Sequence, residues 1–234
     1  MNGAPTLQLI HHRLCPHSRF VRIVLAEYGV AAELREEPVW ERRDDFLAIN
    51  PAGTTPVLVD NGFVIPGATV IAEYIDERLG PDHGTGRLMP QSLEARVEVR
   101  RLLQWFHEKL FAEVTDYLVQ EKIFKRHLAV ADGGGSPDSS AIRAARTNIR
   151  YHLDYLGWLL RERNWLAGDR MSYADLAAAA HLSTADYLGD VPWHENETAK
   201  NWYARIKSRP SFRPLLGETL PGMGPSPSYA NLDF

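Results

Sequence analysis

Cys15 is the single cysteine of this 234-residue chain, and Pro16 follows it directly. A thiol in front of a helix-opening proline sits where unpaired backbone N–H groups and the helix dipole favour negative charge, so its pKa falls and a nucleophilic thiolate becomes accessible. The chemistry such a group supports is thiol exchange through a mixed disulfide. With no second cysteine to resolve that intermediate, the reaction depends on a bound small thiol. A packed cysteine that never reacts is the other reading of the same residue. The run His11-His12-Arg-Leu-Cys15-Pro-His17 adds imidazoles, which are zinc-ligand types like the thiolate. Its spacing fits no standard framework, and His11 and His12, adjacent on a strand, point to opposite faces. No metal site is expected there; the rings are expected to line a cleft or to take backbone hydrogen bonds.

The elements that must position Cys15 are legible around it. Leu7-Gln-Leu-Ile10 reads as an apolar strand, and Cys15 to Gly29 as an amphipathic helix with Pro16 in its first turn and Gly29 at its end. Strands are expected near 6–11, 32–39, 57–60 and 63–66, with a short helix at 44–49 and a helix at 68–79. In Asn50-Pro-Ala-Gly-Thr-Thr-Pro-Val-Leu58, Pro56 opens a strand and is a candidate cis proline. Gly80-Pro-Asp-His-Gly-Thr-Gly86 breaks the pattern. From Ser92 to about Arg126, Val99, Leu103, Phe106, Leu110, Val114 and Tyr117 recur at three- and four-residue steps, the mark of one long helix. A second long helix carries Ile142, Ala145, Ile149, Leu153, Leu156 and Leu160, and is expected to pack antiparallel on the first. Further helices are expected at 172–188 and 195–207. Ser172 and Asp175 form a capping-box pair, with Met171 and Leu176 at the staple positions.

Strand, Cys-Pro helix, Thr55-Pro56 strand and capped late helix, in this order, resemble the glutathione transferase superfamily over roughly residues 6–216. The resemblance implies an α+β chain with the GST fold: a thioredoxin-like N-terminal domain over 1–80, a linker over 81–91, an all-helical C-terminal domain over 92–216 and a Pro/Gly-rich tail over 217–234. It also implies a ligand cleft made by Cys15, Thr55, Pro56, Gly67 and Ala68. In that family an acid or amide followed by Ser or Thr holds the γ-glutamyl end of glutathione, and the match of Ile71-Ala-Glu-Tyr-Ile75 puts Gly67 and Ala68 at those positions. Neither offers a side-chain hydrogen bond. Each lost contact to a charged group is worth about 1.5 to 3 kcal/mol, so two weaken binding by about a hundredfold or more. No cofactor is expected, and glutathione binding least of all at full strength. The enzyme alternative is a thiol-type glutathione transferase using Cys15.

Other residues suit protein contact. Trp40 lies in the charged stretch Pro38-Val-Trp-Glu-Arg-Arg-Asp-Asp45, where a tryptophan serves as a partner anchor or as cover for a sheet edge. Glu121, Lys122, Lys125 and Arg126 cluster near the end of the first long helix, where cations complement the helix dipole and can also form a charged rim. The tail ends in Tyr229-Ala-Asn-Leu-Asp-Phe234, whose Tyr229, Leu232, Asp233 and Phe234 look like a short linear motif, folded back or presented to a partner. These segments, with Asn148 to Trp158, resemble the FzlA family of transferase-like proteins. That resemblance implies a non-catalytic homodimer that binds FtsZ, bends its filaments during bacterial cell division and links them to wall synthesis, with the tail contacting FtsZ or a second divisome protein. A GST-fold adaptor for some other protein shares the same structural argument.

Composition bounds the alternatives. A net charge of −4 with both signs interspersed leaves no basic footprint for nucleic acid. A single cysteine excludes an internal disulfide, and no long apolar run suits membrane insertion. A cytoplasmic protein, placed at the division site by its partner, is the expectation.

Overall fold

The computed structural model describes residues 7–232. The N-terminal half opens with β1 (Leu7–His11), α1 (Pro16–Glu27), β2 (Glu33–Glu36) and α2 (Asp44–Ile49). It continues with β3 (Val57–Asp60), β4 (Phe63–Pro66) and α3 (Ala68–Leu79). The strands form one sheet of order β2-β1-β3-β4. β1 pairs parallel with β2 through Leu9↔Leu34, and antiparallel with β3 through Leu9↔Leu58. β3 pairs antiparallel with β4, Val59 facing Val64. Leu9 and Leu58 face α1 and α3, whose Phe20, Val24, Ile71 and Ile75 complete a dry layer. This is the thioredoxin-like GST arrangement. β2 is shorter than the strand expected at 32–39: Pro38 interrupts pairing, and a 3₁₀ turn over Val39–Glu41 carries Trp40 away from the sheet.

The remainder is helical: α4 (Leu93–Gln104), α5 (Asp116–Lys122), α6 (Ser139–Leu159), α7 (Tyr173–Tyr187), α8 (Glu197–Lys207) and α9 (Arg213–Leu216). α7 is buried along its whole length and packs against α1, which joins the two halves. Its start is fixed by the Ser172–Asp175 capping box. Asp175 also accepts hydrogen bonds from Leu166 N at 2.9 Å and Trp202 Nε1 at 3.0 Å. Burial raises its pKa, opposed by these hydrogen bonds.

The long helix expected from Ser92 to Arg126 differs in its middle. Between α4 and α5, Trp105–Thr115 winds as a π-helix. The sequence gives a physical reason. Leu102, Phe106, Leu110, Val114 and Leu118 are all buried at strict four-residue steps. An α-helix turns such a repeat off axis by about 40° per step, and the wider i→i+5 winding keeps it on one face. The same shift carries Tyr117, expected on the buried stripe, out to 44% exposure.

Candidate functional site

Cys15 is the N-cap residue of α1, half-buried, with Pro16 at the first helical position and no side-chain cap. Its Sγ lies 3.4 Å from Thr55 O, to which the thiol donates. The Thr55–Pro56 bond is cis, as expected from the strand-opening proline. Burial pushes the Cys15 thiol up, and hydrogen bonding by His17 and Ser18 together with the His17 charge outweighs it, bringing the group down to about 7. A substantial thiolate fraction is therefore present at neutral pH.

At the far side of this cleft, Gly67 is the N-cap of α3 with φ +93°, and its N–H donates to Pro56 O at 3.1 Å. A Cβ built there meets nothing closer than Val70 Cγ2 at 3.9 Å, so space is open and backbone conformation is what selects glycine. Ala68 is 6% exposed and its methyl belongs to the core. Thus the two positions implied for γ-glutamyl recognition present a glycine turn and a buried methyl. The cleft retains the thiol and the backbone beside the cis proline.

The partner-contact candidates form a different face, at the junction of the N-terminal half, α5 and the tail. Trp40 is half-buried, stacked on His127 at 4.3 Å with an 11° tilt, and tilted on Phe124 at 5.4 Å. His12 meets it edge-on at 5.5 Å. His12 is buried, its Nδ1 has no hydrogen-bond partner, and its pKa is lowered to about 4 by burial and then by Arg19, His127 and Arg13. The rings of Trp40, His127 and His12 line a groove of about 260 Å³ with Arg13, Arg126, Ile123, Leu220 and Met223.

The charged residues divide into scaffold and display. Glu121 is buried, accepts the Asp138 N–H at 2.7 Å and pairs with Lys125 at 2.5 Å. Lys122 donates to Leu188 O at 3.2 Å and to Asp190 at 2.5 Å. Arg126 alone of the four is exposed at the groove. The tail is folded back as far as it is described. Tyr229 is fully buried, accepts from Arg19 Nη1 at 2.8 Å and donates to Leu215 O at 2.9 Å. Leu232 is 39% exposed, and Asp233 and Phe234 lie outside the described residues.

Two features escaped the sequence reading. Arg19 is fully buried and also donates to Arg13 O at 2.7 Å and Ser183 Oγ at 2.9 Å, so it ties α1 to α7 and to the tail. His17, His107 and His181 converge behind Cys15 from α1, the π-helix and α7. The only available signal was a polar residue on an otherwise apolar helix face, at His107 beside Phe106 and at His181 after Ala177-Ala-Ala-Ala180. Spacings of 90 and 74 residues leave no local motif.

Comparison with known proteins is consistent with this anatomy. The family model for the glutathione S-transferase N-terminal domain matches residues 9–83, and that for the C-terminal domain matches residues 129–210. FtsZ-localized protein A of Caulobacter vibrioides is 44% identical over 230 residues, covering 97% of each chain. A crystal structure of a glutathione S-transferase from Sinorhizobium meliloti superposes with a TM-score of 0.95 at 53% identity, covering 98% of this chain and all of the other. The structure of FzlA from C. crescentus gives a TM-score of 0.90 at 42% identity, with coverage of 98% and 100%. With both transferase domains matched in order and relatives aligned over nearly their whole length, this chain belongs to the glutathione S-transferase family.

Proposed function

We propose that this chain is a non-catalytic GST-fold protein that binds FtsZ filaments and works at the division site. The observation that carries the reading is the end-to-end 44% identity to FtsZ-localized protein A. The Trp40 groove supplies a physical means. Its aromatic wall offers an apolar anchor site, and Arg126 at the rim offers a charge for an acidic partner segment. Lys122, Lys125 and Glu121 hold the end of α5 and the start of α6 in place beneath that rim.

The proposed protein is a homodimer. Phe63, Val70, Leu93 and Val97 are 57% to 71% exposed, and the Arg100–Glu73 ion pair at 2.8 Å brings α4 beside α3, so these apolar residues lie on neighbouring elements. A two-fold dimer presents two copies of one filament-binding face and can impose curvature that a monomer cannot. The end of the tail, with Leu232, Asp233 and Phe234, extends the contact to FtsZ or to a second divisome protein and so to wall synthesis.

A second reading keeps thiol chemistry at Cys15, favoured by the pKa of about 7 and by the Thr55 backbone next to the cis proline. Calorimetric titration with glutathione to millimolar concentration separates the two. The binding-protein reading expects no saturable heat, because Gly67 and Ala68 supply no side-chain hydrogen bond to a γ-glutamyl group. Saturation with a Kd below about 0.1 mM restores the enzyme reading.

A further inference from the structure

We propose that His17, His107 and His181 are the protein ligands of a transition-metal ion of the zinc class, bound between α1 and the helices of the C-terminal half. One ligand nitrogen from each ring lies within 4.8 Å of the other two. His107 Nδ1 and His181 Nε2 are 3.1 Å apart, close to the roughly 3.4 Å that separates two nitrogens held about 2.0–2.1 Å from one tetrahedral zinc. The pair is therefore near coordination distance before any ion arrives. His17 closes the triangle from the first turn of α1, its ring stacked on His107 with centroids 4.9 Å apart.

The surroundings are those of a supported ligand set. Thr115 Oγ1 lies 2.9 Å from His181 Nδ1, the kind of contact behind an imidazole that fixes its tautomer and leaves Nε2 free to ligate. Phe20 and Phe111 pack edge-on against His107 and His17 at 4.7 and 4.6 Å, limiting ring rotation. His107 and Thr115 both lie on the π-helix, the winding that brings them to the same side as Phe111. His107 and His181 are both buried, so their rings are shielded from bulk water.

Any proton on the ligating nitrogen of His17 leaves to solvent as the ion binds, while His107 and His181 rearrange theirs internally. With the His181 Nδ1 proton donated to Thr115, the proton shared by His107 and His181 sits on His107 Nδ1. Coordination moves it to His107 Nε2, which is buried and has no hydrogen-bond partner. Three neutral imidazoles and no carboxylate select zinc, cobalt, nickel or copper over magnesium or calcium. A fourth position is left for water. The ion clips α1 to α7, and binding a folded-state ligand raises thermal stability by mass action.

The test is a Co²⁺ and Zn²⁺ titration of the full chain after chelator treatment. One equivalent of Co²⁺ is expected, with visible ligand-field absorption that Zn²⁺ abolishes, and Zn²⁺ is expected to raise Tm. His17→Gln, a half-buried position, is expected to weaken Co²⁺ binding at least tenfold and to remove the Zn²⁺-dependent rise while leaving the metal-free Tm near that of the parent. Cys15→Ser is expected to keep one equivalent, since the thiol is not among the ligands. Histidine side-chain NMR of the unmutated protein gives a readout independent of variant folding: Zn²⁺ should shift the resonances of His17, His107 and His181. Absence of saturable uptake, equal affinity in His17→Gln, loss of the site in Cys15→Ser, or Zn²⁺ shifts confined to other histidines each overturns the assignment.

Discussion

Cys15 and Gly67 show how little a conserved-looking fold constrains chemistry at individual positions. The thiol has what a nucleophile needs: a helix N-terminus, hydrogen-bonding neighbours and a pKa of about 7. At the positions implied for recognition of a thiol partner stand a turn with φ +93° at Gly67 and a buried methyl at Ala68, neither with a hydrogen-bonding side chain. Reactivity and substrate binding are separable, so they can be tested separately. Alkylation of Cys15 by iodoacetamide in metal-free protein should rise with pH around a midpoint near 7, below the usual thiol value of about 8.5. His17→Gln removes the leading stabiliser of the thiolate while burial continues to raise the pKa, so its midpoint should move upward. A midpoint unchanged by this substitution would assign the shift to another cause. At the partner face, Trp40→Ala removes the ring that His127, Phe124 and His12 pack against, and its effect on binding therefore mixes anchoring with local packing. Arg126 is exposed, so Arg126→Glu isolates charge.

At the level of elements, the tail and the π-helix carry most of what is distinctive. Tyr229 fastens the tail by accepting from Arg19 and donating to the Leu215 carbonyl, while Arg22 pairs with Glu218 at 2.7 Å. Tyr229→Phe leaves a buried guanidinium N–H and a buried carbonyl each short of one partner. Urea unfolding should show a loss of about 1–3 kcal/mol, with proteolysis of the tail accelerated. A change under 0.3 kcal/mol, on the order of measurement error, would mean that the hydroxyl is not part of the anchor. The sequence was informative where local pattern decides structure. The bounds of β3, β4 and α3, the capping box at Ser172 and Asp175, and the turn at Pro56 follow from turn residues and periodicity. It was weaker where distant packing decides. The four-residue repeat from Leu102 to Leu118 reads as an ordinary helix until one asks which winding keeps it buried. Tyr229 reads as part of a displayed motif, although a buried Arg19 more than two hundred residues away claims its hydroxyl. The same holds for Glu121 and Lys122, whose partners Asp138, Leu188 and Asp190 are distant or across a loop.

At the scale of the molecule, α1 packed on α7 fixes the two halves relative to each other, and both candidate faces lie along that junction. The thiol cleft and histidine cluster sit at its start, and the Trp40 groove sits where α5 and the tail close over it. The apolar residues on β4, α3 and α4 lie on other elements, so dimerisation through them leaves the groove open. Light scattering should therefore give twice the 26.4 kDa chain mass, and Val97→Glu should shift the population toward monomer. A monomer at all concentrations would remove the basis for filament bending, though not for filament binding. The central claim is binding itself, and co-sedimentation with polymerised FtsZ measures it most directly. The full chain should pellet with filaments and saturate, Arg126→Glu should weaken that association by about tenfold, on the order of 1.4 kcal/mol, and Cys15→Ser should match the parent. No pelleting of the parent chain, or loss of pelleting in Cys15→Ser with Arg126→Glu unaffected, would contradict the account.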